Sequence, residues 1–209
     1  MLSLDGISVA AQPFLAALLH QLFPHRPIVL VTEGLRSQES AQQDLVTWLT
    51  LGTAKGPPPA ERGTQNPAFS GPQPLFYPAW EVLPHEGRLP HADVISERLE
   101  TLVALTHHAP RTTHHALIVV TSVDALLQRT LPVETARART RTLARGDRID
   151  PLDLAEWLKA QGYEPEAQVT QKGEIALRGG ILDAYPLTSP WPVRLEFFGD
   201  ELESLRQFD

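Results

Sequence analysis

Pro27-Ile28-Val29-Leu30-Val31-Thr32-Glu33-Gly34-Leu35-Arg36-Ser37-Gln38 decides how the first part of the chain is read. Residues 27–32 are an unbroken apolar run rich in β-branched side chains, the pattern of a parallel strand covered on both faces. A helical pattern runs from Ser37 to Leu51, with Leu45, Trp48 and Leu49 on one side. Before the strand, Val9–Phe23 carries Phe14, Ala17, Leu18 and Leu22 at helical spacing, and Pro24 and Pro27 end it. After it come a short strand at Leu75-Phe76-Tyr77 and a helix at Asp93–His107, with Ile95, Leu99, Leu102 and Val103 inward. A second buried strand follows at Ala116–Thr121, with Ser122 capping a helix through Arg129. Strands alternating with helices predict an α/β layer with a mostly parallel sheet from Met1 to about Pro132. Between Lys55 and Pro74, Gly and Pro crowd together, so this stretch reads as a loop or disordered insertion where a protease nicks first.

Beyond Pro132 the pattern changes. Ala136–Leu143 alternates Arg137, Arg139 and Arg141 with small or apolar residues, which reads as an edge or surface strand. Asp150-Pro151 starts a helix that carries Leu154, Trp157 and Leu158 and stops at Gly162. Strand-like pieces at Gln168–Gln171, Glu174–Tyr185 and Val193–Phe198 read as antiparallel, so residues 133–209 are expected to form a small α+β domain.

Composition bounds the function. The chain has 209 residues, 42% hydrophobic and 21% charged, with no Cys. It is long enough for one large or two small domains. A disulfide scaffold, a Cys-based zinc site and a thiol nucleophile are excluded. Net charge is −7, with 8 basic and 11 acidic residues in 1–132 and 10 and 14 in 133–209, so neither part is basic and a generic nucleic-acid-binding surface is disfavoured. No apolar run reaches the roughly 18 residues of a membrane span. Met1-Leu2-Ser3-Leu4-Asp5 lacks the basic start of a secretory signal, and a cytoplasmic location is expected.

Four groups of residues could carry chemistry. Thr32–Gln38 has the strand–loop–helix outline of a phosphate-binding loop, but it has one Gly, no Lys, and Glu33 where phosphate would lie. Thr32, Glu33, Gly34 and Ser37 are therefore read as a degenerate loop that binds no nucleotide. His107, His108, His114 and His115 could ligate zinc or nickel, yet the intervening residues offer no carboxylate, and a solvated loop is the plainer reading. Glu81, Glu86 and Asp93, and later Asp200, Glu201 and Glu203, read as solvated faces or helix caps. The fourth group is on the strands. If Ile175, Leu177, Val193, Leu195 and Phe197 face one core, then Arg178, Arg194 and Phe198 all point outward. An outward Phe flanked by two Arg has the composition of a binding hot spot, unless another part of the chain covers it.

The stretch Arg178-Gly179-Gly180-Ile181-Leu182-Asp183-Ala184-Tyr185-Pro186, with Pro192-Val193-Arg194-Leu195-Glu196-Phe197-Phe198-Gly199-Asp200-Glu201-Leu202-Glu203-Ser204-Leu205-Arg206, resembles the transcription-repair coupling factor (Mfd) family. Tyr77-Pro78-Ala79-Trp80-Glu81-Val82-Leu83-Pro84-His85-Glu86, Ser96-Glu97-Arg98-Leu99 and Val120–Arg129 resemble it too, in family order from about Ile28 to Asp209. The related excision-repair subunit UvrB shares the Arg-Gly-Gly strand and the Phe-Phe-Gly-Asp-Glu hairpin. UvrB also has an intact phosphate-binding loop and a long DNA-gripping hairpin. Here Thr32–Gln38 lacks the first, and the step from Trp80 to the Ser96 helix leaves no room for the second.

The resemblance implies a degenerate RecA-like domain 1a over 1–132 and a UvrA-binding domain 2 over 133–209. It implies UvrA contacts at Arg178, Arg194 and Phe198, and a non-catalytic adaptor with no cofactor or metal. The family protein continues with an RNA-polymerase-binding domain and an ATP-dependent DNA translocase motor. RNA polymerase and DNA are thus expected to be reached through parts outside this chain, which is read as a fragment. The alternative is a UvrB-type, nucleotide-dependent repair subunit. Alanine at any of the three contact residues is expected to weaken binding with little change in folding.

Overall fold

The structure, a computed structural model, describes residues 5–53, 73–83, 85–107 and 116–208. The Lys55–Pro74 insertion up to residue 72 lies outside the described residues, as do His108, His114, His115 and the side chain of His107. Two compact units are present: residues 1–90 with 100–130, and residues 91–99 with 131–209.

The first unit is built on β3 (Ile118–Ser122), buried along its whole length. It lies between β1 (Ile28–Thr32) and β2 (Leu75–Tyr77), and both pairings are parallel, with Ile28 opposite Ile118 and Tyr77 opposite Thr121. Alternation along β3 splits the core in two. Ile118 and Val120 pack with Ala16 and Ala17 of α1 (Gln12–Leu22) and with Ala41, Leu45 and Leu49 of α2 (Leu35–Thr53). Small residues on α1 let it lie close to α2. Val119 packs on the other face with Tyr77, Leu102 of α3 (Ala92–His107) and Ala125 of α4 (Val123–Leu127). The expected cap is present: Ser122 Oγ accepts the Ala125 N–H at 3.3 Å. Gln128 fixes the aromatic segment after β2, since its side-chain amide both accepts from Trp80 N (2.6 Å) and donates to Trp80 O (3.2 Å). The parallel α/β architecture is the one expected, while residues 91–99 and 131–132, expected in the first domain, group with the second unit.

In the second unit, α6 (Pro151–Ala160) starts at Asp150, whose carboxylate accepts Leu152 N–H at 2.7 Å. It lays Leu154 and Ala155 on a five-stranded sheet ordered β4-β5-β6-β7-β8. The strands are β4 (Glu164–Pro165), β5 (Glu174–Arg178), β6 (Ile181–Ala184), β7 (Val193–Phe198) and β8 (Glu201–Gln207). Ile175, Leu182, Leu195 and Leu202 close the core beneath the helix. From β5 to β8 the pairing is antiparallel, as expected, but β4 joins β5 in parallel, so the sheet is mixed.

Two expected strands are corrected. Residues 133–138 form a short helix, α5 (Val133–Ala138), which buries Ala136, and the residues after it are not a strand. The Ala/Arg alternation imitates a strand, but Ala and Arg are both good helix formers, and here only one residue per turn needs burial. Gln168–Gln171 is a turn instead. Glu174 accepts hydrogen bonds from Thr170 N (2.6 Å) and Gln171 N (2.8 Å), spending donors that a strand ladder would use.

Two tests follow from this packing. A Cβ on Gly180 would sit 2.7 Å from the Phe197 carbonyl oxygen, so β6 and β7 approach as closely as they do because that residue is Gly. Gly180→Ala is expected to lower stability by about 1–3 kcal/mol, read as a lower urea midpoint at unchanged slope. Gly34→Ala, where the added Cβ meets nothing within 4 Å, stays within about 0.5 kcal/mol of the parent. The second test concerns acid. The backbone bonds from Thr170 and then Gln171 hold the Glu174 carboxyl below its usual pKa. Its stabilising effect is thus present above the usual carboxylate range and is lost as pH falls through the lowered value. Glu174→Gln should flatten that part of the stability–pH curve, and the effect is small because the group is exposed.

Candidate functional site

Cross-strand partners in an antiparallel sheet point to the same side. On the side of the second sheet away from α6, one row reads Ala176, Asp183, Arg194, Arg206, and the next reads Arg178, Ile181, Glu196, Ser204. A third pairs Phe198 with Glu201 across the tight turn at Gly199, whose φ is +64°. The bulge near Glu196/Phe197 leaves Glu203 as the extra residue of β8. Phe197 still packs into the core and Phe198 still points out. Arg178, Arg194 and Phe198 therefore share the face on which strand parity puts them.

Their situations differ. Phe198 is 77% exposed at a hairpin end, and none of the described residues covers it. Arg178 is exposed and donates to the Ala167 carbonyl, a contact that steadies the side chain, and none of the ion pairs among the described residues involves it. Arg194 is committed. Its Nε reaches Asp183 Oδ1 at 2.6 Å and its Nη2 reaches Oδ2 at 2.7 Å, a side-on fork on a carboxylate that is almost fully buried. The guanidinium also lies over the Phe208 ring, 5.0 Å from its centroid. The hydrogen bonds to Asp183, then its charge, push the Arg194 pKa further above its usual value. Arg206, directly opposite Arg194, would repel it, but Arg206 is drawn off by Glu196 at 2.6 Å. The expectation that Arg194→Ala leaves folding unaffected is corrected on this ground: it would strand a buried carboxylate. Sequence reading gave no role to Asp183, Arg206 or Phe208. The signal for Asp183 was its place opposite Arg194, which needs the β6–β7 register.

The loop Thr32–Gln38 makes several hydrogen bonds of its own, although the buried Gln38 Oε1 has no partner among the described residues. Thr32 Oγ1 donates to Thr121 O (3.2 Å) and Gly34 O (3.3 Å). Ser37 Oγ accepts the Gly34 N–H (3.2 Å) and donates to Gly34 O (2.9 Å). Gln38, buried at the start of α2, donates to Val120 O at 3.1 Å. The backbone donor that a phosphate-binding loop turns toward its ligand is spent here on Ser37, and Gly34 has neither a positive φ nor a close neighbour to require glycine. Of the carboxylates, Glu86 accepts Leu83 N (3.1 Å) and pairs with Arg88 (2.7 Å), and Asp93 lies beside His91 in the first turn of α3. Glu201 and Glu203 are exposed on β8. Among the described residues no cluster of His, Asp and Glu could hold a metal ion.

The family described as UvrB interaction domain matches residues 142–209, the segment that contains α6 and the whole five-stranded sheet. The Bacillus subtilis transcription-repair-coupling factor is 31% identical over 207 residues, 99% of this chain. The Myxococcus xanthus protein of the same name is 34% identical over 98% of the chain, and that of Escherichia coli 38% identical over 62%. The chain is a relative of the transcription-repair-coupling factors. It spans 15% of the length of the first two and 11% of the third.

Stability measurements separate the three outward residues. Arg194→Ala is expected to lower the thermal midpoint clearly, and Arg194→Lys to recover only part of it, because an ammonium cannot fork onto both oxygens. Phe198→Ala and Arg178→Ala stay within about 0.5 kcal/mol of the parent, as exposed positions do.

Proposed function

We propose that this chain acts in transcription-repair coupling as a non-catalytic adaptor whose second unit recruits UvrA. The observation that carries the reading is Phe198: a large apolar side chain held open at a hairpin end, on the same sheet face as the exposed Arg178, within the residues matched by the UvrB interaction domain. A rigid aromatic next to an Arg gains most when a partner removes both from water. On this reading Phe198 and Arg178 make the contact, and Arg194 offers only the part of its guanidinium that Asp183 leaves free. The first unit contributes an α/β layer, and its Thr32–Gln38 loop does no nucleotide chemistry. RNA polymerase, DNA and the translocase motor belong to other parts of the family protein.

Titration calorimetry with UvrA tests the adaptor. Phe198→Ala and Arg178→Ala are each expected to weaken binding at least about tenfold, about 1.4 kcal/mol, with the thermal midpoint kept. Parent-like affinity in both refutes the contact assignment. The UvrB-type alternative draws on the strand–loop–helix outline of β1 and α2. Titration with ATP and magnesium decides between them: no heat is expected, and a micromolar dissociation constant would favour the nucleotide-dependent subunit.

A further inference from the structure

Ile181 opens β6 with its side chain on the outer face of the second sheet, 38% exposed, while the next residue, Leu182, is fully buried in the core. The register sets Ile181 directly opposite Arg178 on β5 and Glu196 on β7. Phe198 follows Glu196 by two residues on that same face. Ile181 and Phe198 are therefore diagonal neighbours across β6 and β7, a spacing of roughly 7–8 Å that an aromatic ring can span. From Arg178 to Ile181 the chain turns through Gly179 and Gly180 alone, so the turn itself raises no side chain beside this pair. A Cβ on Gly179 would meet no atom within 4 Å, which leaves the end of the face open.

Charge does not choose what covers this pair. Arg178 stands on one side of it, Glu196 is held by Arg206 at 2.6 Å, and Glu201 lies across the Gly199–Asp200 turn from Phe198. The rim thus carries both signs, and its centre is apolar. That is the anatomy of a protein interface whose binding energy sits in the middle of the patch, with the polar rim excluding water. A single exposed Ile needs no explanation. An Ile that shares its face with a 77% exposed Phe, on strands pinned by the Asp183–Arg194 fork, offers one partner side chain two apolar surfaces at once.

Resting on the reading that the second unit recruits UvrA, we propose that Ile181 is a further contact residue, and that UvrA presents an uncharged, apolar side chain which lies against Ile181 and Phe198 together. Burying both removes more apolar surface from water than a contact with the ring alone. Ile181 also costs little conformational freedom on binding, because a β-branched side chain in a paired strand is already stiff. Arg178 then borders the contact instead of forming its centre.

The test is titration calorimetry of the 209-residue chain with UvrA across a graded series at this one position. Ile181→Val is expected to bind about twofold more weakly and Ile181→Thr about five- to tenfold, since both keep the strand preference while apolar surface shrinks and Thr adds a hydroxyl. The heat-capacity change of binding should become less negative in the same order. The thermal midpoint should stay with the parent, as at other exposed positions. Leu205→Ala is the control. Leu205 is 44% exposed but pairs with Leu195 of the core, so it faces the α6 side and its loss should leave binding unchanged. Phe198→Ala is the reference. Parent-like affinity in Ile181→Thr while Phe198→Ala weakens binding overturns this contact alone, and parent-like affinity in both overturns the adaptor reading with it. Thr binding as well as Val, an equal loss in Leu205→Ala, or a loss matched by a fall in the thermal midpoint would each remove Ile181 from the interface.

Discussion

The Asp183 carboxylate is 6% exposed, and the Arg194 fork is what makes that burial tolerable. Much of the second unit's outer face follows from this pair. It ties β6 to β7 on the side away from α6, sets the guanidinium over Phe208, and leaves Arg206 to be balanced by Glu196. Two neutralised pairs then occupy the middle of the face. What remains open lies beside them: Phe198 on the hairpin and Arg178 at the end of β5. A surface so arranged is already desolvated where desolvation is costly and exposed where a partner can gain.

In the first unit the proposed reading is of a scaffold kept without its phosphate chemistry. The β1–α2 connection has the outline of a phosphate-binding loop, yet Ser37 takes the Gly34 amide and Gln38 is drawn inward to Val120. An incoming phosphate that used the Gly34 amide would have to displace the bond it makes to Ser37, with Glu33 opposing it. The parallel sheet survives because its stability lies in β3 and the packed faces of α1 and α2, not in the loop.

Much of this was legible in the sequence because the signals are local. The apolar runs at Ile28 and Ile118, the Ser122 and Asp150 caps and the stop at Gly162 all depend on near neighbours, although β1 is not covered on both faces as expected, since Val29 and Val31 are exposed. Strand parity placed Arg178, Arg194 and Phe198 on one face, since alternation needs only that each strand exist. Parity says nothing of what a long side chain reaches, so the bond from Arg194 to Asp183 was hidden until the β6–β7 register was known. Period-two alternation at Ala136–Leu143 pointed to a strand where Pro132 instead opens a helix turn. The turn at Gln168–Gln171 depends on a carboxylate three and four residues away, which no periodicity reports.

Hydrogen exchange of the chain with and without UvrA tests the central claim most directly, because it reads the contact surface residue by residue without altering any side chain. Slower exchange is expected at Arg178–Gly180 and along the Phe198–Glu201 hairpin, with Thr32–Gln38 unchanged. Protection confined to the first unit, or none on the β7–β8 hairpin, would contradict the account.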